Sequence, residues 1–167
     1  MALASLHRLL AIAALAASGA AAAQPTIVLV RHAELEGQQM QLPPDTPLSE
    51  AGRQRAERLA HLLSQAAVSR IYVTDVLRTQ QTAQPLAERS AAPVTRFAKP
   101  DTAALVQALR QTQDGTVVVV GHSDTLPAVM AALGGPADLK FAPGDHAGVY
   151  IVTPRPQGAA SVVKLTY

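Results

Sequence analysis

Two short segments carry the side chains best suited to chemistry, Arg31-His32 and Gly121-His122. Each closes a run of strand-forming residues, Thr26-Ile27-Val28-Leu29-Val30 in the first and Thr116-Val117-Val118-Val119-Val120 in the second. Buried parallel strands in one α/β sheet deliver their carboxyl ends to the same edge, so the two histidines are expected side by side there. Either histidine alone could simply be a polar residue ending a strand. Two imidazoles meeting with arginines beside them suit phosphoryl chemistry, because guanidinium presents paired donors matched to phosphate oxygens.

The elements that must position these groups follow from hydrophobic periodicity. Residues 35–47, rich in Gln, Pro and Gly, read as an irregular loop over the edge where His32 lies, a candidate lid or substrate wall. A helix with 3.6-residue amphipathy follows to about residue 65, capped by Thr46 or Ser49, with Arg53, Arg55 and Arg58 expected on its solvated side. A strand over 68–74 leads into a helix to about residue 89 that carries Arg78 in its first turn, near the sheet edge. Residues 92–97 suit an edge strand because Pro93 cannot donate to a ladder. Asp101 caps a helix to about residue 111, and Asp114-Gly115 turns the chain into the second histidine strand. Ser123 or Asp124 is expected to cap the next helix, and Gly134-Gly135-Pro136 to stop it. Residues 148–153 and 161–165 pair as a closing hairpin. Strands alternating with helices predict a three-layer α/β/α sandwich with a mostly parallel central sheet and a C-terminal hairpin.

Composition narrows the function. A chain of 167 residues with 49% hydrophobic content supports one domain with a sizeable core. Residues 1–23 read as a secretory signal, with His7 and Arg8 before an apolar run over 9–17 and Ala21-Ala22-Ala23 as a cleavage site, leaving a mature domain over 24–167. That run is too short to span a bilayer, so no membrane span is expected after cleavage, and the destination is export, to the periplasm. The 14 Lys and Arg against 12 Asp and Glu give a formal net charge of +2, which loss of Arg8 reduces by one. The basic residues are scattered, which argues against nucleic acid as a partner. With no cysteine there is no disulfide, thiolate nucleophile or sulfur-ligated metal.

The motifs resemble the histidine phosphatase superfamily, also called phosphoglycerate-mutase-like. Its strand-R-H-G stands here as Leu29-Val30-Arg31-His32-Ala33, with Ala in the glycine position. Its P-L-T-x-x-G-x-x-Q-A is similar to Pro47-Leu48-Ser49-Glu50-Ala51-Gly52-Arg53-Gln54-Arg55-Ala56, with the Gln shifted by one. Its S-S-P-x-x-R-x-x-Q-T-A is similar to Val73-Thr74-Asp75-Val76-Leu77-Arg78-Thr79-Gln80-Gln81-Thr82-Ala83, and its late strand-x-H to Val119-Val120-Gly121-His122. The Arg-His-Ala-Glu variant, the leader and the small size look most like a compact exported branch.

The resemblance implies a metal-independent phosphatase acting on a small phosphorylated substrate without a cofactor. His32 would attack phosphorus, Arg31, Arg78 and His122 would hold the phosphoryl oxygens, and water would release phosphate. His32 needs to be neutral for this, whereas His122 would be more useful charged. The proton for the leaving group is harder to assign, because the span 86–114 is too short for the insertion that carries a Glu in larger members. Asp124 is the first candidate, with Glu34 and Asp101 as alternatives; Glu34, beside the substrate, could instead pair with a loop arginine. His61 and His146 read as surface or packing residues, with no accompanying metal-ligand spacing. Alternatives are a protein phosphohistidine phosphatase and a catalytically weak phosphate-binding module. Nothing in the sequence fixes the oligomeric state or the physiological substrate.

Overall fold

The β-branched runs assemble into one six-stranded sheet. In a computed structural model describing residues 24–37 and 42–167, its order is β3-β2-β4-β1-β5-β6. β1 (Thr26–Arg31), β2 (Val68–Thr74), β3 (Val94–Phe97) and β4 (Thr116–Gly121) are parallel, while β5 (Gly148–Thr153) runs antiparallel to β1 and forms a hairpin with β6 (Ser161–Thr166). The expected leader, residues 1–23, lies outside the described residues, as do residues 38–41 of the expected loop.

Alternation along the strands supplies two cores. Val28, Val30, Ile71, Val73, Val118 and Val120 face Leu59, Leu63 and Leu86 from α1 (Glu50–Leu62), the residue after it, and α2 (Leu77–Ser90). On the opposite face Ile27, Leu29, Tyr72, Val117 and Val119 meet α3 (Thr102–Gln111) and α4 (Leu126–Ala132) through Leu105, Leu109, Leu126 and Met130. Each fully buried side chain of this size contributes about 1.5–3 kcal/mol. β1 and β4, covered on both faces, are therefore fixed in the middle of the sandwich, and the residues that follow them inherit that rigidity. The three-layer architecture, mostly parallel sheet and C-terminal hairpin match the sequence expectation.

Local differences have clear causes. Of the two cap candidates for α1, Ser49 fills the position, its Oγ accepting from Gly52 N at 3.1 Å. The cap of α4 is Thr125, not Ser123 or Asp124, and its hydroxyl accepts from His122 N at 3.0 Å instead of from its helix. Arg55 does not lie on the solvated side with Arg53 and Arg58. It turns inward, grips Glu34 and donates from Nη1 to the Tyr167 carbonyl at 2.7 Å. Gly52 explains how α1 comes so close, since a Cβ there would stand 2.2 Å from the Glu34 carbonyl oxygen. Only a residue without a side chain lets this helix press on the backbone that follows His32.

Candidate active site at the carboxyl edge of the parallel strands

Strand register brings the two histidines together. Arg31 pairs with Gly121 across β1 and β4, and His32 N donates to the Gly121 carbonyl at 2.9 Å, one step beyond the ladder. The imidazoles of His32 and His122 consequently sit with centroids 5.3 Å apart at an interplanar angle of 58°. Both are buried, 6% and 3% exposed. Arg31, His32, Glu34, Leu35, Arg78 and His146 line a cleft of about 400 Å³, which has room for a phosphoryl group and part of the molecule carrying it.

The tautomer of His32 is set by its own chain. Its Nδ1 lies 2.8 Å from the Ala33 carbonyl, which can only accept, so the proton resides on Nδ1 and the lone pair on Nε2. Burial pushes its pKa down to about 3; the Ala33 carbonyl opposes this, and His122, His146 and Arg78 reinforce it. His32 is therefore neutral near pH 7, as a nucleophile requires. In the free protein burial, aided by Arg78 and Lys99, pushes the pKa of His122 down to about 4, so the charge expected of it beside a phosphate dianion has to come with the anion. Thr74 Oγ1 lies 2.9 Å from His122 Nε2. Thr79 Oγ1 lies 2.9 Å from the Val76 carbonyl, which can only accept, so Thr79 gives its proton there and accepts from Thr74, and His122 Nε2 in turn donates to Thr74; Nδ1 offers an N–H to an anion when the ring is charged.

The arginines are tied down incompletely. Arg31 Nη1 donates to the carbonyls of Ala142 at 3.3 Å and Asp145 at 3.2 Å, while its Nε is buried without a partner among the described residues. Arg78 has two such nitrogens, Nε and Nη1. Buried donors without acceptors are rare and costly, and here they border a cleft of oxyanion size.

Helix α2 holds the parts in register. Thr82 Oγ1 donates to the Arg78 carbonyl at 2.7 Å and accepts from Ala33 N at 3.0 Å, which links the guanidinium's helix to the His32 turn. Thr79 stands 3.0 Å from Thr74 Oγ1 and so supports the contact with His122. The sequence offers these threonines only as part of the segment Thr79-Gln80-Gln81-Thr82 beside Arg78, with no signal for their separate contacts.

The acid candidates are differently placed. Glu34 lines the cleft, but its carboxylate takes three contacts of 2.6–2.9 Å from Arg55, a helix residue and not the loop arginine expected. Burial alone would raise its pKa, and the Arg55 contacts hold it below the usual range. Asp124 is mostly exposed and paired with Lys99 at 2.7 Å; Lys99 outweighs burial and lowers its pKa as well. Asp101 caps α3, accepting from Ala104 N at 3.0 Å, away from the cleft lining. His61 is exposed, as expected. His146 corrects the sequence reading, for it lines the cleft with its ring centroid 5.3 Å from that of His32. Among the described residues, no group of three or more His, Cys, Asp or Glu side chains could hold a metal ion.

A parallel-sheet edge of this kind, with a neutral histidine among under-satisfied guanidinium donors, defines an α/β protein built to receive an oxyanion. The chain is similar to the histidine phosphatase superfamily: the family model described as histidine phosphatase superfamily (branch 1) matches residues 27–99. That span carries Arg31, His32 and Arg78, while His122 joins them through the β1–β4 register. No curated protein sequence matches this one. Among solved structures, mycobacterial glucosyl-3-phosphoglycerate phosphatase Rv2419c superposes with a TM-score of 0.67 at 19% identity, covering 87% of this chain and 98% of that one. YhfR of Bacillus stearothermophilus gives 0.67 at 22% identity, with coverages of 83% and 95%. The protein histidine phosphatase SixA, complexed with tungstate, gives 0.63 at 19%, with coverages of 84% and 96%. At these identities the likeness establishes the shared fold.

Proposed function

We propose that this protein is a phosphatase that hydrolyses small phosphomonoesters, without a metal, through a phosphohistidine on His32. The observation that carries the reading is the pairing of a neutral, buried His32, its Nε2 lone pair free, with the unpartnered buried donors of Arg78 and Arg31. In-line attack by Nε2 forms the N–P bond as the ester P–O bond breaks. Charge on the equatorial oxygens is met by the two guanidiniums and by His122 once the phosphoryl dianion favours its charged form. Water then attacks phosphorus on the same face as the departed alcohol, releasing phosphate and restoring His32. A phosphohistidine side chain would be handled by the same steps, with imidazole as leaving group, and the similarity to SixA keeps that substrate class as the second reading. The direct check is hydrolysis of p-nitrophenyl phosphate by the metal-free protein; absence of turnover would overturn it.

The pKa values give this reading a pH signature. Because His32 and His122 are neutral in the free protein above about pH 4, the proton for the leaving alcohol has to enter with a monoanionic ester. Phosphomonoesters lose that proton near pH 6. kcat/KM on an alkyl phosphate is therefore expected to fall about tenfold per pH unit above about pH 6. A profile level from pH 6 to 9 would contradict this.

Export to the periplasm belongs to the same proposal and is supported by residues 1–23 of the sequence. No helix among the described residues is long and apolar enough to cross a membrane. Expression of the full chain in a bacterial host is expected to yield a periplasmic form beginning at Gln24, read by intact mass; full-length protein retained in the cytosol would refute export.

A further inference from the structure

We propose that His146 is the proton-transfer residue of this site, donating to the leaving oxygen in the first step and taking a proton from water in the second. The inference rests on the phosphohistidine reading above and adds the group which that reading lacks. Three adjacent strands bring three imidazoles to one place. β4 delivers His122 on one flank of His32, and the segment entering β5, antiparallel neighbour of β1, delivers His146 on the other. Both flanking rings lie 5.3 Å from the His32 ring, centroid to centroid.

The fixed tautomer favours this role. His146 Nδ1 lies 2.6 Å from the His32 carbonyl and must donate to it, which leaves Nε2 as the nitrogen that gains and loses a proton. No protein group partners Nε2 among the described residues, and the ring borders the cleft. The same bond joins His146 to the backbone of the nucleophile, so the two rings keep their spacing. The competing carboxylates are committed elsewhere: Glu34 to Arg55, Asp124 to Lys99, Asp101 to the α3 cap.

The charged and titratable groups facing the ring are Arg31 and His32 at the end of β1, Glu34 in the loop beyond it and Arg55 on α1. Burial is the main influence against the imidazolium, with Arg31 and Arg55 adding to it, while the His32 carbonyl and Glu34 favour the charged ring; an arriving phosphoryl dianion shifts the balance further towards it. The proton that enters on a monoanionic ester then resides on His146 Nε2. As His32 Nε2 bonds to phosphorus, the P–O electron pair goes to the leaving oxygen, which takes the proton from His146. In the return step water bonds to phosphorus, its proton passes to His146, and the N–P electron pair goes back to His32.

The test separates proton transfer from a structural role through the leaving group. In His146→Asn the side-chain amide can still donate to the His32 carbonyl but cannot titrate. Wild type, His146→Asn and, as a second variant, His146→Gln are compared on ethyl phosphate and p-nitrophenyl phosphate, with thermal unfolding to show that each variant is folded. Alkoxide needs a proton to leave, whereas p-nitrophenolate does not. The expected result is a loss of about a hundredfold in kcat on ethyl phosphate and less than about tenfold on p-nitrophenyl phosphate. Equal losses on both substrates in folded variants would overturn the assignment while leaving the phosphatase reading intact. A wild-type protein that hydrolyses neither substrate would overturn both.

Discussion

His32→Ala is expected to lower kcat on p-nitrophenyl phosphate by about 10⁵-fold or more, because it removes the group that forms the covalent intermediate. Removal of a nucleophile that acts in concert with fixed electrostatic groups costs far more than removal of any one of those groups. The variant is expected to retain affinity for orthophosphate or tungstate, since Arg31, Arg78 and His122 remain, and neither the β1–β4 register beside Arg31 and His122 nor the α2 helix carrying Arg78 involves the His32 ring. The measurement pairs steady-state turnover with calorimetric titration of tungstate. Turnover that survives in His32→Ala, with or without added metal, would show that another group attacks phosphorus.

Arg78 carries the second largest effect. Its Nε and Nη1 are buried donors without acceptors among the described residues, which corresponds to a desolvation cost of about 1–3 kcal/mol. An oxyanion in the cleft supplies the missing acceptors, and a transition state spreading charge over the equatorial oxygens supplies better ones. Arg78→Ala is therefore expected to cost about 2.7–4 kcal/mol of transition-state stabilisation, read as a kcat lower by about 10²–10³. Arg78→Lys should recover little of this, because a point-charge ammonium does not reproduce the planar pair of donors. The same orphaned donors predict that tungstate raises the Tm of the wild type and does so much less in Arg78→Ala, a thermal-shift comparison that needs no turnover. A wild-type shift equal to the variant's would mean the guanidinium does not face the anion.

What the sequence made legible were features fixed by local periodicity. The valine run of β4 and the Ile-Val-Leu-Val run of β1 are buried on both faces, so strand type, parallel packing and the meeting of His32 with His122 followed from residue order. Arg78 was legible for the same reason, as a charged residue in the first turn of a helix leaving the sheet edge. Contacts that depend on long-range approach were not. His146 sits in a Gly- and Pro-containing turn with no periodicity, and it enters the site only because β5 pairs antiparallel with β1. Arg55 occupied a position that a helical wheel assigns to solvent, yet the bare Gly52 lets α1 close on Glu34, and the carboxylate draws the guanidinium inward. Sequence order likewise carries no measure of burial, which is the largest influence on the His122 ring and lowers its pKa in the free protein.

The most direct test of the central claim is to catch the intermediate. The protein is mixed rapidly with excess p-nitrophenyl phosphate, quenched in alkali, where phosphohistidine survives, and digested for peptide mass spectrometry. The account predicts a phosphoryl group on the peptide containing His32, rising during the first turnover and absent in His32→Ala. A phosphoryl group on any other residue, or a His32 that stays unmodified throughout that turnover, would contradict it.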